Sequence, residues 1–126
     1  MYAGDVHPHH AAEALTAEED AVLVDVRTPG EWALGVPDHD EVKLVSWQFP
    51  DGTPNPDFLD QLAEAGIRPD QAIYFLCRSG VRSQSAAMAA TAHGFHKAYN
   101  VAGGFEGKHP TPGWRDLLPW RVPPPI

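Results

Sequence analysis

At 126 residues the chain holds one ordinary domain and is too short for two. Its 43% hydrophobic and 21% charged residues are those of a globular protein, and a net charge of −8 argues against non-specific binding to nucleic acid or to a membrane surface. No stretch approaches the roughly twenty apolar residues of a membrane span. The opening Met-Tyr-Ala-Gly-Asp-Val-His has neither the basic start nor the apolar run of a secretory signal. One cysteine allows no internal disulfide, so a reducing, cytoplasmic setting is expected.

Taken in order, residues 1–8 and 121–126 read as ends of the single domain that are free to fray. His9 to Ala17 follows Pro8 and reads as a short helix, with proline near the favoured first turn. His7, His9 and His10 are histidine-rich, but no acidic or cysteine ligand joins them at a telling spacing, so a solvated helix start is expected and no metal. Ala21 to Val26 is a compact valine-rich run, the mark of a buried parallel strand. Pro29-Gly30 breaks it, and Glu31 to Leu34 makes one helical turn before Gly35. Val42 to Trp47 reads as a second strand. Residues 49–56 carry three prolines and a glycine and read as loop. Trp47 and Phe49 are core aromatics or the lining of a pocket mouth, with core favoured.

Asp57 to Ala65 shows apolar residues at helical spacing and stops at Gly66. Ala72-Ile73-Tyr74-Phe75-Leu76 is the strongest strand signal, and it runs directly into Cys77-Arg78-Ser79-Gly80-Val81-Arg82-Ser83. A helix of small residues then spans about Val81 to His93, Gly94 closes it, and Lys97 to Val101 gives a further strand. Strands alternating with helices imply an α/β fold, a central parallel sheet with helices on both faces. Ligands of such sheets sit beyond the C-terminal ends of the strands, where Cys77 falls.

A strand that turns tightly into a helix aims several unpartnered backbone N–H groups into one concave loop, and the helix dipole adds positive charge there. Gly80 tolerates backbone angles that other residues resist. Arg78 and Arg82 bring full positive charge, and no carboxylate lies between Asp70 and Glu106. Each feature favours thiolate over thiol, so Cys77 reads as an activated nucleophile rather than a small core residue. Alkylation by iodoacetamide is expected to stay fast well below about pH 8.

Three motifs in order resemble those of the single-domain rhodaneses, the rhodanese-like sulfurtransferases. They are Leu23-Val24-Asp25-Val26-Arg27-Thr28-Pro29-Gly30-Glu31-Trp32, then Phe75 to Ser83, then Tyr99-Asn100-Val101-Ala102-Gly103-Gly104-Phe105-Glu106-Gly107. With Gly113-Trp114 and Leu118-Pro119-Trp120 they span nearly the whole chain. The resemblance implies a doubly wound α/β domain and no cofactor. It also implies a persulfide mechanism, in which Cys77 takes sulfur from thiosulfate or a similar small anion and passes it to cyanide or a thiol, a protein thiol included. On this likeness the N–H groups of residues 78–83 hold the anionic sulfur, and Arg82 with Arg78 orients the donor. Asp25, Arg27 and Glu31 look like a buried ion-pair cluster that braces the loop, and Gly103 and Gly104 like a tight turn beside it.

Cysteine phosphatases, some of which share the fold, place one residue more between cysteine and arginine than the four found here. The narrower loop suits a sulfur atom better than a tetrahedral oxyanion, which disfavours a phosphatase or arsenate reductase. A non-catalytic or sulfur-relay binding module is the other alternative. Two loops depart from the family pattern. Gly35-Val36-Pro37-Asp38-His39-Asp40 replaces a usual Gly-His-Ile-Pro-Gly-Ala, and Lys108-His109-Pro110-Thr111-Pro112 is a short connection. Both bear on substrate choice.

Overall fold

The computed structural model describes residues 1–39 and 41–124, so Asp40 of the first departing loop and Pro125 and Ile126 of the tail lie outside the described residues. Twelve elements follow in chain order: β1 (Gly4–Val6), α1 (Pro8–Ala17), β2 (Val22–Asp25), α2 (Pro29–Leu34), β3 (Val36–Pro37), β4 (Lys43–Leu44), α3 (Phe58–Glu64), β5 (Ala72–Leu76), α4 (Val81–Ala92), β6 (Lys97–Val101), α5 (Trp114–Leu117) and β7 (Trp120–Arg121). Five strands form one sheet in the order β1-β6-β5-β2-β4. Every pairing in it is parallel. No helix among the described residues is long and apolar enough to cross a membrane.

Central strands covered on both faces need apolar side chains on both, and β5 has them without alternation. Ile73 and Phe75 point to one face, where they pack with Phe58 and Leu62 of α3 and with Ala86, Ala87 and Ala90 of α4. Ala72, Tyr74 and Leu76 point to the other, with Ala11 and Leu15 of α1 and Trp114 of α5. The alanines of α4 let its backbone lie close to the sheet, as small side chains do. Because β2, β5 and β6 run parallel, their C-terminal ends gather on one side of the sheet. Residues 26–31, 77–83 and 102–106 leave the sheet there.

Parts of both end segments are built into sheets. Residues 4–6, read as a fraying end, form the edge strand β1, with Gly4, Asp5 and Val6 opposite Tyr99, Asn100 and Val101 of β6. Pro8 is buried at the start of α1, where the His7 side chain accepts from the His9 N–H. At the other end Trp120 and Arg121 pair antiparallel with Pro37 and Val36, so the departing 35–37 segment and the tail form a small second sheet. Gly35 is needed there, since a Cβ would press within 2.8 Å of the Trp120 ring. The strand expected over residues 42–47 is regular only at Lys43–Leu44. Its extension still follows the chain beyond β2, with Val45 N–H donating to Asp25 O and Trp47 N–H to Val26 O.

Candidate active site: the Cys77 loop

Between the end of β5 at Leu76 and the start of α4 at Val81, the chain reverses through Gly80 in the left-handed region, with φ 107° and ψ −6°. Its carbonyls are held from outside. Phe105 N–H donates to Cys77 O at 2.7 Å and Glu106 N–H to Arg78 O at 2.9 Å. In a trans peptide the C=O and the following N–H point in opposite directions. Fixing those two carbonyls toward residues 105–106 therefore turns the Arg78 and Ser79 N–H groups the other way, into the loop. Gly104, at φ 61°, makes this approach possible, because a Cβ would overlap the Cys77 carbonyl oxygen. Gly103, at φ 79°, has the Pro112 carbonyl oxygen against it in the same way. Gly104 is thus pressed on the loop's backbone, and Gly103 on that of the 111–112 segment.

Cys77 is only 1% exposed, at the base of this loop. Its sulfur is met by two donors, Gly80 N–H at 3.1 Å and Ser83 Oγ at 3.2 Å. Val81 turns its side chain outward, 61% exposed, and brings only backbone to the loop. Ser79 is half-buried, whereas Ser83 is fully buried beneath the helix start.

Both arginines of the loop are paired with carboxylates. Arg82 makes a bidentate pair with Glu31, Nη1 to Oε1 at 2.8 Å and Nη2 to Oε2 at 3.0 Å. Arg78 lies 3.3 Å from Glu106, which Arg115 approaches at 3.5 Å. The carboxylate-free stretch of sequence is therefore matched in space by carboxylates from α2 and from the 103–107 turn. These ion pairs neutralise much of the charge that the arginines bring. Burial would raise the Glu31 carboxyl, but the hydrogen bonds and charge of Arg82, with help from the Thr28 hydroxyl and N–H, outweigh it and hold it at about 2. Arg82 is pushed up in turn, first by its hydrogen bond to Glu31.

Asp25 and Arg27 form a buried pair, 0% and 2% exposed, at the end of β2. Arg27 Nη2 donates to Asp25 Oδ2 at 2.8 Å and to the Gly35 carbonyl at 2.7 Å. Its guanidinium also lies 4.4 Å above the centre of the Phe105 ring. Since Phe105 N–H carries the Cys77 carbonyl, Arg27 reaches the loop through one intermediate residue. Glu31 belongs to a different contact, the clamp on Arg82, rather than to this pair.

Two residues of the site were not singled out from sequence. Asn100, 5% exposed, accepts from Ser83 Oγ through its Oδ1, and its Nδ2 donates to Asp5 Oδ1 at 2.9 Å. A lone asparagine in the apolar run Lys97 to Val101, three residues before the glycine pair, was the available signal for it. Asp5 had none, since a three-residue strand carries no periodicity. A cleft of about 600 Å³ lies elsewhere, over β4 between α2 and α3, and includes Phe49 and Trp32 but no residue of the loop. Trp47 instead packs edge-on against Phe58 in the core. Among the described residues no cluster of histidine, cysteine or carboxylate could hold a metal ion.

The sequence profile of the rhodanese-like domain matches residues 8–109. The crystal structure of Rv0390 from M. tuberculosis superposes with a TM-score of 0.87 at 44% identity, over 98% of this chain and 100% of that one. An uncharacterized protein of Rickettsia conorii is 40% identical over 117 residues, 88% of this chain and 91% of its own. A sulfurtransferase of Allochromatium vinosum is 29% identical over 100 residues, 79% of this chain and 82% of its own.

Proposed function

Because the chain belongs to the family of rhodanese-like domains, we propose that it is a sulfurtransferase that carries sulfane sulfur on Cys77. In the first half-reaction the Cys77 thiolate attacks the outer sulfur of thiosulfate or a similar small anion. The sulfur–sulfur bond of the donor breaks, sulfite departs with the electron pair, and Cys77 holds an anionic persulfide. In the second, cyanide or a thiol attacks that outer sulfur and the electron pair returns to Sγ. The cycle needs no cofactor, and its two covalent steps give ping-pong kinetics.

The observation that carries this reading is the aim of the loop's backbone. Gly80 N–H points at Sγ, and residues 105–106 hold the flanking carbonyls away from the same space. A fixed set of N–H donors stabilises an anionic sulfur without reorganisation, by the logic of an oxyanion hole. Arg82 serves first as a tie to Glu31. The bidentate tie fixes the direction of the α4 N-terminus, and so of the loop.

The test is direct. Thiosulfate and cyanide should give thiocyanate with the wild-type protein and none with Cys77→Ser. Mass spectrometry after thiosulfate treatment should find one added sulfur on Cys77. Hydrolysis of para-nitrophenyl phosphate with no sulfur uptake would overturn the assignment in favour of a phosphatase.

A further inference from the structure

A chain of side chains ends on the reacting sulfur. Asp5 Oδ1 accepts from Asn100 Nδ2 at 2.9 Å and from the Tyr2 hydroxyl at 2.7 Å, and Gln84 Nε2 donates to that hydroxyl at 2.8 Å. Asn100 Oδ1 accepts from Ser83 Oγ at 2.5 Å, and Ser83 Oγ stands 3.2 Å from Cys77 Sγ. Asp5 determines how the asparagine sits. A carboxylate only accepts, so it takes the NH2 end of the Asn100 amide and leaves the carbonyl end facing Ser83. The buried serine hydroxyl then has one hydrogen and two acceptors within reach, Asn100 Oδ1 and Cys77 Sγ.

Which acceptor receives the hydrogen depends on the charge of the sulfur. In the persulfide Sγ is a neutral divalent sulfur, a weak acceptor, and the amide oxygen wins. When the outer sulfur leaves, Sγ becomes a thiolate and the stronger of the two. The geometry points to Ser83, positioned by Asn100 and Asp5, as the donor that stabilises the Cys77 thiolate as it is released in the discharge half-reaction. This rests on the persulfide cycle proposed above. The acceptor's lone pair bonds to the outer sulfur, the Sγ–S bond breaks, and its electron pair comes to rest on Sγ. Ser83 keeps its hydrogen and only turns it from Asn100 toward the sulfur. Gly80 N–H is fixed on Sγ throughout, whereas the serine hydrogen answers to the charge.

Such a role separates the two half-reactions, which a purely structural role does not. Stabilising the thiolate speeds its formation in discharge, but the same stabilisation is lost when the thiolate attacks a donor. The experiment is single-turnover kinetics on the full chain. Loading by thiosulfate is followed at about pH 9, where an ordinary thiol is largely ionised. Discharge of the isolated persulfide to cyanide is followed as thiocyanate. Ser83→Ala should slow discharge about ten- to a hundredfold, the worth of a hydrogen bond to a charged group, and leave loading unchanged or faster. Asp5→Ala, on the exposed edge strand, should show the same split at about two- to fivefold, and it keeps the test available if Ser83→Ala does not fold. Equal slowing of both half-reactions, or no slowing of discharge, overturns the proposal while the persulfide cycle stands. A wild-type protein that takes up no sulfur overturns both.

Discussion

Three residues, Gly104, Asp25 and Arg27, decide whether the loop around Cys77 keeps its shape. At Gly104 a Cβ would lie 2.6 Å from the Arg78 carbonyl carbon and would overlap the Cys77 carbonyl oxygen, in a backbone conformation that other residues resist. Gly104→Ala should therefore cost about 3 kcal/mol in urea denaturation, from left-handed strain plus forced separation of the two segments. The same displacement should lower sulfur transfer by about a hundredfold, as misplacement on the order of 1 Å does at active sites. Asp25 and Arg27 make the opposite kind of demand. Arg27→Ala leaves a fully buried carboxylate without its cation, and breaking such a pair costs about 3–5 kcal/mol. A double variant, Asp25→Val with Arg27→Met, should recover much of that stability without recovering activity. Its apolar side chains fill the space but cannot grip Gly35 O and Phe105. Equal stability of Arg27→Ala and wild type in the same urea series would sink the account of this pair.

At the scale of elements, the decisive link is the one between α2 and α4. Glu31 from the first turn of α2 meets Arg82 from the first turn of α4 across 51 positions of sequence. Its folded-state value of about 2 lies below the ordinary 4.5, so the contribution of the pair is fully present above about pH 4.5 and lost as pH falls through about 2. Glu31→Gln should accordingly melt below wild type at pH 6, and the gap between them should close as both are acidified from pH 4.5 toward 2. A gap that stays constant over that window would show that the carboxylate charge plays no part. This link also marks how far the sequence could be read. The loop Cys77 to Ser83 is contiguous, and its chemistry is visible in seven adjacent letters. The partner of Arg82 depends on which strand lies next to β5, and nothing local to either residue specifies that. Short elements escaped for a related reason. The strands β1, β3 and β7 have two or three residues each, too few to show a repeating hydrophobic pattern, and become strands only because a segment distant in sequence pairs with them: β6 with β1, and β3 and β7 with each other.

The whole molecule was legible wherever burial imposes its own composition. The runs Val22–Val24 and Ala72–Leu76 are apolar on successive residues because helices cover both faces of the sheet, and this marks the α/β class from sequence alone. The sheet order was not legible, nor was the placement of the chain's first residues against β6. Phe75 measures how much rests on this core. It is fully buried and tilted against Phe58 at 6.1 Å between ring centres, so Phe75→Ala should cost about 3–5 kcal/mol. For a chain this size, whose total stability is on the order of 6–19 kcal/mol, that is a large share. The variant's urea midpoint should fall well below that of wild type with little change in slope.

The edge strand β1 has a consequence for folding. Asp5 and its partner Asn100 stand 95 positions apart in sequence, so the β-pairing that seats Asp5 is strongly non-local, and non-local pairings form late. A chain whose central strands have already closed around the thiol can thus still lack the contact between Asp5 and Asn100. Under the proposed cycle, full competence arrives last, when β1 docks on the edge that β6 offers.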